Sequence, residues 1–194
     1  MLLQGSCHCQ RVRFRVRCSN PYPFLLCYCS ICRKTEGGGG YGINLGGDNA
    51  SLEVEGREHV SVYRPLIEDP QTGERREDLG ERHFCRHCGS ALWAWDPRWP
   101  DLVHPAASAI DTDLPVPPER SHMMLGSKAN WVPVQAGPND RRFDEYPDES
   151  LAQWHRRLGL EDSDPLEHAE IRLGVNIGHR HFSAFDWQIG RAHV

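Results

Sequence analysis

The stretch that decides the fold is Cys7-His8-Cys9-Gln10-Arg11-Val12-Arg13-Phe14-Arg15-Val16-Arg17-Cys18. From residue 10 to residue 18 it alternates strictly. Val12, Phe14 and Val16 fall on one face, and Arg11, Arg13, Arg15 and Arg17 on the other. Period two marks a half-buried strand. The four arginines read better as a solvated strand face than as an anion-binding one. A C-x-C pair stands directly before the strand, so thiols and β-structure enter the chain together.

Beyond it the pattern stays β-like. Short strands are expected at Leu52–Val54, His59–Tyr63, Arg82–Phe84 and Ala91–Trp95, with further candidates at His122–Leu125 and Trp131–Val134. Residues 65–81 are polar, carry Pro65, Pro70 and Gly73, and read as a long loop. Prolines at 96–100 and 115–118 break the pattern. Gly37 to Gly40 either turn the chain freely or bring its backbone close to a ligand; no Gly-Lys-Ser/Thr follows, so this is no phosphate loop. Over Pro147–Leu160 the period changes. Leu151, Trp154 and Leu158 share one helical face, acids lead, arginines trail and Gly159 suits the stop. Residues 161–170 read as an acidic linker, and Ile171, Leu173, Val175 and Ile177 as one more strand.

Composition closes off other classes. A chain of 194 residues buries a core without disulfide staples. With 39% hydrophobic residues and 6 Trp, 6 Phe and 5 Tyr, wholesale disorder is excluded. No apolar run approaches the ~18 residues of a membrane span, so no membrane partner is expected. The start MLLQGSCHC lacks a basic region followed by a long apolar one, so no signal peptide and a cytoplasmic location are expected. The formal net charge of −5 disfavours nucleic acid as a partner.

In a reducing cytosol eight cysteines call for something other than disulfides. Seven lie in three clusters, Cys7/Cys9, Cys27/Cys29/Cys32 and Cys85/Cys88; Cys18 stands alone and reads as a small buried hydrophobe. Closely spaced thiolates aim sulfurs at one ion, and soft sulfur selects zinc or an iron–sulfur cluster, but the usual four-cysteine spacings of such a cluster are absent. Seven ligands divide as four and three. A Cys₄ site is closed and structural, whereas three ligands leave a position open. One partition joins Cys29/Cys32 with Cys85/Cys88 and strands the rest. The other joins Cys7/Cys9 with Cys85/Cys88 and leaves Cys27, Cys29 and Cys32 as a contiguous triad, which is the neater arrangement. His8 and His87 lie inside clusters, where a histidine between two ligands usually points elsewhere. His179 and His181 form an H-x-H pair with no further ligand nearby in sequence.

The order Gly5-Ser6-Cys7-His8-Cys9 with Val12-Arg13-Phe14, then Cys27-x-Cys29-Ser30-x-Cys32-Arg33-Lys34, then Phe84-Cys85-x-x-Cys88-Gly89-Ser90 resembles the glutathione-dependent formaldehyde-activating enzyme family, which includes centromere protein V-like proteins. Asp111 to Pro118, His122, Lys128 and Trp131 extend the resemblance, which covers about residues 4–158. It implies a mainly β, Mss4-like fold with two zincs per chain, a C-terminal helix and a short extension. Residues 1–158 would form the zinc domain and 159–194 the extension. It implies a structural zinc on Cys7, Cys9, Cys85 and Cys88, and a catalytic one on Cys27, Cys29 and Cys32. The implied activity is a carbon–sulfur lyase with a small thiol–aldehyde substrate, formaldehyde plus glutathione giving S-hydroxymethylglutathione. Tyr28 stands where the family often has His.

An open Cys₃ zinc suits that chemistry, because three thiolates leave a formal charge of −1 and a thiol entering the fourth position stays nucleophilic. Arg33, Lys34 or the strand arginines are candidates to anchor substrate carboxylates. The rival reading is a non-catalytic zinc module that binds a protein or sequesters a thiol. It requires a protein side chain in the fourth position.

Overall fold

The computed structural model describes residues 1–160 except Gly37 and Pro70. Strands dominate. In chain order they are β1 (Leu2–Ser6), β2 (Arg13–Arg17), β3 (Leu25–Cys27), β4 (Gly42–Ile43), β5 (Gly47–Asp48), β6 (Glu53–Glu55), β7 (Val60–Tyr63), β8 (Leu66–Glu68), β9 (Arg75–Glu77), β10 (Glu81–Cys85), β11 (Ala91–Trp95), β12 (Leu102–Pro105), β13 (Ser121–Met123) and β14 (Arg141–Arg142). Helix α1 (Ser30–Thr35) follows β3, and α2 (Leu151–Arg157) follows β14. No helix among the described residues is long and apolar enough to cross a membrane.

The alternating stretch forms β2, with its arginines exposed and Phe14 and Val16 buried. Its partner is β1, antiparallel from Leu2↔Arg17 to Ser6↔Arg13, which the sequence reading passed over. Gly5 of β1 has no room for a side chain, since a Cβ there would meet the Phe14 ring and the Ala109 carbonyl. β1, β2 and β6 make one sheet, and β5-β12-β11-β10-β7 a second. Leu3, Val12, Phe14, Val16, Leu92, Trp93 and Val103 form their common core. Cys18 lies in it, its thiol pushed up to about 12 by burial, as the lone-hydrophobe reading expects.

A third sheet, β14-β13-β3-β4, pairs β3 and β13 in parallel from Ser121↔Leu25 to Met123↔Cys27. The segment 65–81 is not all loop. β8 and β9 pair from Leu66↔Glu77 to Glu68↔Arg75, around a turn in which Asp69 accepts from the Gln71 and Thr72 amides. Trp131–Val134 is not a strand; Trp131 is exposed and Val132 alone packs inward. The expected helix begins later than Pro147. Ser150 caps it, in a reciprocal capping box with Gln153, and a cap fixes the start better than a tolerated proline does. Trp154 is fully buried and stacks on Phe24, ring centroids 3.7 Å apart, and Gly159 ends the helix in the left-handed region. The expected linker 161–170, the strand around Ile171–Ile177 and the His179/His181 pair lie outside the described residues.

Candidate metal centres

Two hairpin turns meet at the first cluster. Cys7 and Cys9 sit in the turn between β1 and β2, while Cys85 ends β10 and Cys88 lies in the turn to β11. Each turn closes on a left-handed residue, Gln10 (φ 62°) in one and Gly89 (φ 74°) in the other. That geometry returns an amide to the first cysteine's carbonyl, Gln10 N to Cys7 O at 2.9 Å and Gly89 N to Cys85 O at 2.8 Å. All four sulfurs lie within 4.8 Å of one another. A tetrahedral ion with ~2.3 Å bonds spaces sulfurs by about 3.8 Å. The Cys7–Cys9 and Cys9–Cys85 separations are 3.5 and 3.7 Å, so the donor set fits the group. Amide hydrogen bonds to sulfur add to the fit, Val12 N to Cys7 Sγ at 3.3 Å. The Ser90 hydroxyl and amide hold the Cys88 thiol down at about 5. His8 and His87 do not join. His87 Nε2 meets His59 Nδ1 instead, at 3.1 Å.

The second cluster is built at a strand-to-helix junction. Cys27 ends β3, Cys29 is the N-cap of α1, and Cys32 lies one turn further on. Their sulfurs also fall within 4.8 Å of one another, and all three residues are buried. Among the described residues no fourth cysteine, histidine or carboxylate joins them. Hydrogen bonds from the Cys27 and Cys32 thiols, the Cys32 amide and the nearby Arg82 charge pull the Cys29 pKa down to about 2, against burial. The hydrogen bonding that favours one thiolate pushes Cys27 and Cys32 up. Three buried sulfurs, one with its thiolate form favoured by the others, form a set of soft donors that zinc suits. The structure thus groups the seven cysteines as four and three, as the neater partition has it.

Tyr28 points the other way from its two neighbours. Its ring packs with Leu26 and Val132, and its hydroxyl meets His122 Nδ1 at 2.9 Å, with Asp140 behind the ring at 3.5 Å from Nε2. The Tyr28 amide donates to Met123 O at 3.0 Å, so backbone and side chain both pin the segment between two thiols.

Sequence reasoning missed the charged group behind the triad. Arg82 of β10 reaches Glu36 Oε1 at 3.0 Å and Cys32 Sγ at 3.8 Å. Asn44 Nδ2 donates to both Glu36 oxygens, at 3.0 and 2.9 Å. The only foreshadowing was position, since Glu36 closes α1 and Arg82 opens a strand that ends in a ligand. This also sorts the glycine run. Gly40 has φ +82° and its Cβ would meet Val132, and a Cβ on Gly42 would meet the pinned Glu36 carboxylate. Gly38 has open space and no such requirement.

Above the triad lies a cleft of ≈ 950 Å³ of atom-free space including its open mouth. Cys27, Cys29, Cys32 and Arg82 line its inner part, with Trp95, Trp99, His104 and Tyr146 around them. Burial pushes His104 down to about 4, so its ring is neutral at pH 7. Arg33, Lys34 and the β2 arginines do not line the cleft, and Arg15 pairs with Glu53 at 2.7 Å. The arginine at the triad is Arg82.

The sequence profile described as glutathione-dependent formaldehyde-activating enzyme matches residues 2–125. A Halomonas elongata protein, named as a candidate glutathione-dependent formaldehyde-activating enzyme, is 62% identical over 162 residues, 84% of this chain and 99% of that protein. A crystal structure of a Rhodobacter sphaeroides protein matches with a TM-score of 0.43 and 23% identity, over 58% of this chain and 91% of that one.

Proposed function

The chain belongs to the glutathione-dependent formaldehyde-activating enzyme family, and on that premise we propose that it is a carbon–sulfur lyase which joins formaldehyde to the sulfur of glutathione and releases it again. The observation that carries this reading is the buried triad Cys27, Cys29 and Cys32 at the inner end of a cleft, with no fourth ligand among the described residues. Those three residues would hold one zinc, and Cys7, Cys9, Cys85 and Cys88 a second, closed one. Zinc on three thiolates would supply a position where a substrate thiol sheds its proton yet stays nucleophilic.

The remaining work falls to the chain. The Cys29 cap and the Tyr28 pins hold the sulfurs in place before anything binds. Arg82 donates to Cys32 and offsets part of the triad's negative charge. Trp95, Trp99 and Leu102 line the cleft and thin out the water there, so the small aldehyde meets sulfur rather than bulk solvent. Residues 1–158 form the catalytic unit in this reading, with 159–194 appended to it. This reading sets the reaction in a reducing compartment, the cytoplasm, where clustered thiols stay free to hold metal.

A metal count on the zinc-loaded protein, paired with formaldehyde–glutathione exchange measured by NMR, tests the reading. Two zincs per chain are expected, with accelerated exchange. Cys29→Ala should lose one zinc and the acceleration while keeping the fold. One zinc per chain, or exchange no faster than in buffer, would sink it.

A further inference from the structure

The aldehyde oxygen is the one reacting atom that the lyase reading leaves without a partner, and the inference drawn here rests on that reading. When sulfur adds to formaldehyde, a C–S bond forms and the π pair of C=O moves to oxygen. The proton released by the thiol, passed through solvent, finally closes the hydroxyl. Negative charge gathers on oxygen before that proton arrives. A donor already aimed at that oxygen lowers the barrier most.

Most polar groups lining the cleft are committed elsewhere. Arg82 is held by Glu36 and Cys32, and Asn44 Nδ2 by Glu36. Glu81 pairs with Arg64 and His83, and Asp96 with Arg98. The Trp95 indole faces Pro100 O at 3.4 Å, and His104 Nδ1 faces Leu45 O at 3.2 Å. Tyr146 differs. It lines the same cleft as the three sulfurs, and its ring packs on the cluster that contains Cys27, Cys29, Cys32 and Met123. Among the described residues nothing hydrogen-bonds its hydroxyl. A half-buried tyrosine presents an apolar ring to the core and a polar tip to whatever enters the cleft.

We propose that the Tyr146 hydroxyl donates a hydrogen bond to the aldehyde oxygen as it becomes the hydroxyl of the adduct. In the reverse direction the same bond steadies that oxygen while the C–S pair returns to sulfur. A phenol ordinarily titrates at about 10, so its proton is present throughout the neutral range.

Tyr146→Phe removes the hydroxyl and keeps the ring. In the zinc-loaded protein, formaldehyde–glutathione exchange should slow about 100-fold in kcat, the scale of losing one donor to a developing oxyanion. The KM for glutathione, its calorimetric affinity and the two-zinc content should stay within about threefold of wild type. A variant that keeps kcat within about threefold overturns the role of Tyr146 alone. So does a loss that appears in zinc content or glutathione affinity instead, which marks a structural part. A wild type with no acceleration overturns the lyase reading, and this role with it.

Discussion

Glu36 is the residue whose loss the structure prices most clearly. Its side chain is 5% exposed and that of Arg82 is 22% exposed, and they pair at 3.0 Å beneath the triad. Glu36→Gln keeps the shape and one of the two Asn44 contacts but takes the paired carboxylate away from Arg82 in a buried place. Breaking one partner of a buried pair costs about 3–5 kcal/mol. For a chain of this size each kcal/mol moves the melting temperature about 2–4 °C, so a drop of roughly 6–20 °C is expected. Arg82→Met strands the carboxylate in the same way, and it also removes the donor to Cys32. The double variant removes both charges, so it should lose clearly less than the two singles added together, with a coupling of about 2 kcal/mol. The assay is thermal and urea unfolding at one fixed free zinc concentration, because bound metal adds its own stability. Singles that cost under ~1 kcal/mol, or a double variant equal to their sum, would refute the account of a buried pair beneath the triad.

Three more perturbations separate parts of the structure. Gly40→Ala should destabilise by about 1 kcal/mol or more, since φ is +82° and Val132 blocks the new methyl, whereas Gly38→Ala in open space should be near neutral in the same unfolding assay. Trp154→Ala removes the ring stacked on Phe24 and should cost about 3–5 kcal/mol, read from the urea midpoint. Hydrogen bonds from Arg157 hold the Glu149 pKa below its usual 4.5. The native state therefore binds fewer protons there than the unfolded chain, so this contribution is present above pH 4.5 and is lost as pH falls through the lower native value. Arg157→Ala should flatten the acid limb of the stability curve, and an unchanged limb would remove the contribution.

What could be read from the sequence was whatever repeats or clusters within about ten residues. β2 announced itself by strict alternation, the helix by Leu151, Trp154 and Leu158, and the thiols by spacing. β3 did not, because a three-residue strand buried on both faces has no period to display, and β13 was expected one residue late, over His122–Leu125, for the same reason. The hairpin at 65–81 hid behind exposed polar side chains, since all of β9 is exposed and only Ile67 of β8 packs inward. Arg82 and Tyr146 were invisible for a different reason. Each belongs to the triad only through folding, and nothing in its own neighbourhood marks it.

β10 shows why the two cysteine sets are hard to treat apart. Cys85 ends the strand in the closed cluster, and Arg82, three residues earlier, reaches the triad. Side chains three apart on a strand point to opposite faces, so one five-residue strand serves a different cluster from each side. Its neighbours keep it in register, β7 from Arg82↔Tyr63 to Cys85↔Val60 and β11 through a shift between His83 and Phe84. Closing the first cluster fixes the end of β10, and with it the height at which the guanidinium meets Glu36 and Cys32. The four-sulfur site is therefore more than a staple for a turn-rich fold. It also shares a strand with Arg82, the cation that among the described residues lies against the three-sulfur site.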